Sequence, residues 1–218
     1  MANHAPFSEQ SDQTNLQTAT RWHLGRRQIV LGIATSFGSI ATQSRAIAQE
    51  TKIPNFQSER YQFTILRPQE SISSTRLFRI DGKTTDLLSL RGKPILLNFW
   101  ATWCPACRIE LPILDRLLSD RRHAGLQILA ISEGRDERAA VELFINKLKI
   151  RNLPIYLDPN NFVAFTDIDN ARKAPFALYG MPITYAIAAS GWIVGYIPGA
   201  VDWNSSDADN LIKFLFRS

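Results

Sequence analysis

The sequence predicts an α/β domain with a central mixed β-sheet flanked by helices and a β-hairpin leading into it. Three observations predict this. Between positions 95 and 157, strand-like apolar runs alternate with an amphipathic stretch and a helical one, which implies parallel pairing through crossovers. Residues 95–100 (ILLNFW) form a near-continuous apolar run of the kind buried on both faces of a sheet. Residues 183–188 and 192–197, joined by Ala189-Ser190-Gly191, read as an antiparallel hairpin, so the sheet is mixed rather than purely parallel.

Taken in order, residues 1–20 are polar and lack apolar periodicity. Arg26-Arg27 then precedes a moderately apolar run over 29–41, followed by Ser44-Arg45-Ala46-Ile47-Ala48. This is the order of an export signal, with cleavage near Ala48 and twin-arginine character, and it places the mature protein in the periplasm. The run is too short and too rich in Gly, Ser and Thr to span a bilayer well. Residues 49–76 carry Pro54 and Pro68 and read as a linker with an edge element, including one strand over 61–66. Residues 77–80, Asp81-Gly82 and 84–88 form a hairpin with an Asp-Gly turn. After the 95–100 strand, Ile109, Ile113, Leu114, Leu117 and Leu118 fall at helical spacing, with Pro112 inside the helix. Residues 126–131 form the next strand. Residues 136–149 are amphipathic, with Val141, Phe144, Ile145 and Leu148 on one stripe. Residues 155–157 make another short strand, and Ser206 can cap a final helix through Leu211, Ile212 and Leu215. The division is a leader over 1–48, a linker and edge segment over 49–76, and one domain over 77–218.

The chemistry lies in Trp103-Cys104-Pro105-Ala106-Cys107, where a strand ends in a tight turn and a helix begins. The first cysteine at a helix N-terminus meets unpaired N–H groups and the positive end of the helix dipole, which favour a thiolate near neutral pH. Three residues on, Cys107 lies on the same face and can attack a mixed disulfide held by Cys104. Pro105 is pre-set for the first helical turn. Both cysteines of the chain are spent here, on a three-residue loop of little entropic value, so a redox pair is the reading and a structural bridge is not.

Asn98 to Pro112 (NFWATWCPACRIELP) resembles the active-site segment of thioredoxin-fold proteins. It resembles most the exported TlpA-like branch, thiol-disulfide oxidoreductases of cytochrome c and cytochrome oxidase maturation. Gly82-Lys83, Leu90-Arg91-Gly92-Lys93-Pro94, Gly180-Met181-Pro182-Ile183-Thr184 and Gly191 are further anchors. The resemblance implies a thioredoxin-like fold with a strand-helix unit inserted between Cys104 and Pro182, and a kinked active-site helix. It implies that Pro182 is cis and packs beside the cysteines, leaving the Met181 backbone free to pair with an extended substrate. Trp103, Pro105, Met181 and Thr184 are the expected substrate-binding residues. Cytosolic thioredoxins resemble one another in a buried aspartate where this chain has Asn98. Exported relatives supply a carboxylate from the inserted region, and Glu133 is the candidate, with Asp136 and Glu137 competing. The implied partners are disulfide-containing protein substrates and a membrane-bound thiol-disulfide electron donor. Arg108, four residues after Cys104, is placed to add positive charge near the thiolate, or to lie on a solvated face.

Other functions are disfavoured. Net charge is +5, from 25 Lys and Arg against 20 Asp and Glu. Setting aside residues 1–48, with four arginines against Glu9 and Asp12, leaves 21 basic and 18 acidic residues, or +3, too mild for a nucleic-acid partner. His123 is the one histidine after residue 48, so a structural zinc site lacks ligands, and Arg108 stands where haem attachment requires histidine. His123 is expected in a polar loop without a catalytic role. No Gly-x-Gly-x-x-Gly follows a strand, so no cofactor is expected. A disulfide oxidase or isomerase would use the same cysteines with a more oxidising couple. Cu(I) binding by Cys104, Cys107 and Met181 is the rival from another class.

Overall fold

The structure is a computed structural model, and it describes residues 52–58, 60–166 and 174–218. The export signal and its cleavage near Ala48 lie outside the described residues. Among the described residues, no helix is long and apolar enough to cross a membrane.

The sheet has eight strands: β1 (Thr64–Ser71), β2 (Arg76–Arg79), β3 (Thr84–Asp86), β4 (Ile95–Trp100), β5 (Gln127–Ser132), β6 (Ile155–Leu157), β9 (Ile183–Ile187) and β10 (Trp192–Pro198). A two-stranded parallel pair, β7 (Ala164–Phe165) and β8 (Phe176–Ala177), stands apart from it. The strand order is β1-β10-β9-β4-β5-β6-β2-β3. β4 pairs parallel with β5 and antiparallel with β9, so the expected mixed sheet is present, with β4 at its centre. The helices are α1 (Pro105–Leu118), α2 (Arg138–Lys147) and α3 (Ser206–Arg217).

All six residues of β4 are buried, as the apolar run implies, and their alternation sorts them between two cores. Leu96 and Trp100 face a cluster containing Leu111 and Leu114 of α1, Val141 of α2 and Leu211 and Leu215 of α3. Ile95, Leu97 and Phe99 face the opposite cluster, with Leu77, Val163, Phe176 and Tyr185. Among the described residues, all three helices therefore cover one face, and the segments around β7 and β8 contribute to the other. Asn98 shares its parity with Leu96 and Trp100, so its amide enters the helix-side core.

The hairpin of β2 and β3 forms with Gly82 in its turn at φ 88°. The first strand is displaced from its expected place: it runs over Thr64–Ser71 rather than 61–66 and pairs with β10. The backbone of β1 comes so close to Gly195 that a Cβ there would strike the Thr64 carbonyl and the Phe63 ring. Alternation alone could not find this strand, because its residues are almost all exposed. Ahead of it, Phe56 is 1% exposed and packs on Trp203, with ring centres 5.3 Å apart. Ser205, one residue earlier than expected, caps α3 by accepting from the Ala208 N–H.

His123 departs from expectation as well. It closes a short 3-10 turn (Arg121–His123) and is buried against α3, with Nε2 3.4 Å from Asp209 Oδ1. Burial pushes its pKa below the usual histidine value, against the pull of Asp209.

Candidate functional site

β4 ends at Trp100, and the chain turns through Ala101, Thr102 and Trp103 into α1. The turn is held by a staple: the Asp136 carboxylate accepts from the Thr102 N–H at 2.8 Å, from Thr102 Oγ1 at 2.6 Å and from Ser132 Oγ at 2.8 Å. Asp136, weighed as a rival to Glu133, therefore shapes the turn from its side chain.

Cys104 is the N-cap of α1, with Pro105 in the first helical turn, and its sulfur accepts from the Cys107 N–H at 3.2 Å. This is the environment that favours a thiolate, with free amide donors aimed at the sulfur. The two cysteines are joined in a disulfide, with Cα atoms 5.3 Å apart. Cys104 is 3% exposed and Cys107 not at all, so an incoming sulfur meets Cys104 first. The Met181–Pro182 bond is cis, as the resemblance implied.

Met181, Ala106, Ile109 and Ile113 line an open groove of about 700 Å³, together with Arg60, Tyr61 and Val201. Trp103 is 52% exposed beside Cys104, while Trp100 is buried and stacked on Phe144 with ring centres 5.3 Å apart. Arg108 lies on the helix exterior with its guanidinium 5.6 Å from the centre of the Phe144 ring.

Two of the expected site residues are buried in polar pairings. Thr184 is 1% exposed, and its hydroxyl oxygen accepts from Asn98 Nδ2 at 2.9 Å, so its side chain packs into the core. Glu133 is buried, but both its oxygens accept from Arg135 Nε, at 2.8 and 3.1 Å.

A buried carboxyl closer in sequence to Cys107 is Glu110, which the sequence reading missed. It follows Cys107 by three residues, one turn along the same helical face, and is 1% exposed. Oε2 accepts from Asn98 Nδ2 at 2.9 Å, while Oε1 accepts from Trp203 Nε1 at 2.9 Å and the Val201 N–H at 3.2 Å. Burial pushes its pKa up from 4.5 to about 7, and the three donors only partly oppose that rise. Asn98 Oδ1 is buried without a partner. Turning that amide over would let a protonated Glu110 donate to Oδ1. A signal was present in the sequence: a lone Asn in a doubly buried strand needs a polar partner from the helix above it. The spacing of Ile109, Ile113, Leu114, Leu117 and Leu118 instead suggested an apolar stripe, of which Leu114 and Leu117 are buried. In the structure Ile109 is 65% exposed, and the buried face carries Cys107, Glu110, Leu111, Leu114, Asp115 and Leu117.

Comparison with known proteins agrees with this geometry. The AhpC/TSA family profile matches residues 50–194. The thiol-disulfide oxidoreductase ResA of Oceanobacillus iheyensis is 33% identical over 122 residues, covering 56% of this chain and 58% of that protein. The thiol:disulfide interchange protein DsbE of Pseudomonas aeruginosa is 36% identical over 113 residues, covering 52% and 55%. The chain thus spans little more than half the length of these two curated relatives. Among solved structures, a thiol:disulfide interchange protein of the thioredoxin family from Chlorobium tepidum superposes with a TM-score of 0.52 at 26% identity, covering 70% of this chain and 99% of that one. The exposed lipoprotein thioredoxin of Streptococcus pneumoniae shares the fold, with a TM-score of 0.50 at 24% identity over 66% of this chain and 98% of that one.

Proposed function

The chain belongs to the AhpC/TSA family, and from that premise we propose that it is a thiol-disulfide oxidoreductase, exchanging its Cys104–Cys107 pair with cysteine pairs of partner proteins. The observation that carries this reading is the disulfide at the N-terminus of α1, with Cys104 as the cap. The names of the relatives, a thiol-disulfide oxidoreductase and a thiol:disulfide interchange protein, support the same chemistry.

In the reducing direction, the Cys104 thiolate attacks one sulfur of a substrate disulfide. A Cys104–substrate bond forms as the substrate S–S bond breaks, and the departing substrate sulfur takes up a proton. Cys107 then loses its proton, with Glu110 one turn away as the acceptor, and attacks the Cys104 sulfur. The second substrate thiolate leaves, and two electrons have passed from the domain to its substrate. Met181, beside Pro182, offers backbone groups to an extended substrate strand, and Trp103 and Pro105 flank the sulfur that it meets.

The working place we assign is the periplasm, after removal of a leader ending near Ala48, with cytochrome c or oxidase maturation as the process. Each turnover leaves the domain oxidised, so a membrane-bound thiol donor is needed to return the two electrons. Two measurements test the proposal. Reduction of insulin disulfides with dithiothreitol as donor is expected for the wild type and lost in Cys104→Ser. Equilibration with glutathione and dithiothreitol buffers is expected to give a potential nearer about −270 mV than the roughly −120 mV of a strong oxidant. A value at the oxidising end would reverse the direction of the proposed reaction.

A further inference from the structure

The loop between β5 and α2 reaches the redox turn by a second route besides the Asp136 staple. The Glu133 N–H donates to the Trp100 carbonyl at 2.8 Å, which fixes the Glu133 backbone to the end of β4. Its side chain is 5% exposed and holds Arg135 Nε between its two oxygens. Arg135 is a surface residue with a side chain 68% exposed, yet its guanidinium carbon stands 5.1 Å from the centre of the Trp103 ring. Gly134 joins the two. A Cβ there would collide with the Asp158 carbonyl and the Asn161 side chain, so this part of the loop is set by close backbone packing.

A buried carboxylate is tolerated when a cation satisfies it, and a surface arginine otherwise samples many rotamers. The pairing answers both: Arg135 compensates Glu133, and Glu133 confines Arg135 to the ring face, where a guanidinium is attracted by the π-system. The ring so held belongs to the residue immediately before Cys104.

We propose that Glu133 and Arg135 are positioning residues that hold the Trp103 indole ordered beside Cys104, as a platform for the polypeptide flanking the substrate's cysteine. The proposal rests on the thiol-disulfide exchange reading above. Order imposed before binding is order that the substrate need not impose, so the clamp acts on KM and leaves the sulfur chemistry to the cysteines.

The test is steady-state insulin reduction by the wild type, Glu133→Gln, Arg135→Lys, Trp103→Ala and the double variant Glu133→Gln/Trp103→Ala. Arg135→Lys keeps the charge and removes the planar fork, so it separates holding the ring from mere positive potential. KM is expected to rise about two- to fivefold in Glu133→Gln and in Arg135→Lys, the size of one lost cation–π contact, with kcat within about twofold of wild type. Glu133→Gln is expected to add nothing once Trp103 is alanine. An unchanged KM in both single variants, a change confined to kcat, or effects of Glu133 and Trp103 that multiply in the double variant would overturn the clamp. Circular dichroism checks folding; if Glu133→Gln is unfolded, the surface variant Arg135→Lys decides. A wild-type protein that reduces no insulin would instead overturn the function on which the clamp rests.

Discussion

Burying Glu110 leaves a signature that pH reads out. With a carboxyl at about 7 in the fold against 4.5 for an unhindered one, the folded chain binds more protons than the unfolded chain between those values. Stability from this group is therefore fully present below about pH 4.5 and is lost as pH rises through about 7. A gap of that size corresponds to about 3 kcal/mol, the cost of carrying the ionised form in the core. Glu110→Gln removes the titration and keeps the acceptor for Trp203 and Val201, while its new N–H group can donate to Asn98 Oδ1 after that amide turns over. Urea unfolding at pH 5 and pH 8 is expected to show a smaller stability difference in Glu110→Gln than in wild type. The same variant should lose the limb near pH 7 in the pH dependence of disulfide exchange. An unaltered profile would remove Glu110 from proton transfer. The cysteines and Pro182 were legible because backbone chemistry singles them out: sulfur at a helix start, and an imino acid in a motif. Glu110 was not, because a single charged residue on a helix is usually solvated, and only the depth of Asn98 beneath it reveals otherwise.

At the scale of elements, α1 does more than present sulfur. Asp115, 9% exposed on its buried face, accepts with one oxygen from the N–H groups of Arg151, Asn152 and Leu153 at 3.1, 2.7 and 2.8 Å. The active-site helix thereby anchors the chain just before β6. Asp115→Ala would strand three donors and is expected to cost roughly 3 kcal/mol, read as a fall in Tm of about 6–12 °C. Elements with strong periodicity were read correctly in kind: β4, the hairpin of β2 and β3, α2, and the hairpin of β9 and β10 all form near their expected places. The misplaced ones have identifiable causes. β1 is a solvent-facing edge strand with a register shift, so it carries no alternation to read. In α1 the stripe was read in part, with Leu114 and Leu117 buried, while Ile109 faces the groove and two carboxyl residues, Glu110 and Asp115, take buried places.

Over the whole molecule, the segment ahead of the hairpin is part of the packed unit. Phe56 fills the space between Phe63 and Trp203, and the same Trp203 donates to Glu110. Phe56 thus lies two contacts from the Glu110 carboxyl. Phe56→Ala is expected to lower stability by about 3–5 kcal/mol, measured by chemical denaturation, since the cavity would open against a rigid indole. A mere linker would tolerate the change. This long-range role could not be read from sequence, where a single Phe between prolines and polar residues has no periodicity and its partner lies almost 150 positions away.

The central claim is that Cys104 attacks and Cys107 resolves, and trapping tests it most directly. Reduced Cys107→Ser, mixed with a disulfide-bonded polypeptide and quenched with acid, is predicted to accumulate a mixed disulfide that peptide mapping assigns to Cys104, while the wild type releases its partner. Absence of any adduct, with alkylation of Cys104 at pH 7 no faster than that of an ordinary thiol, would contradict the account.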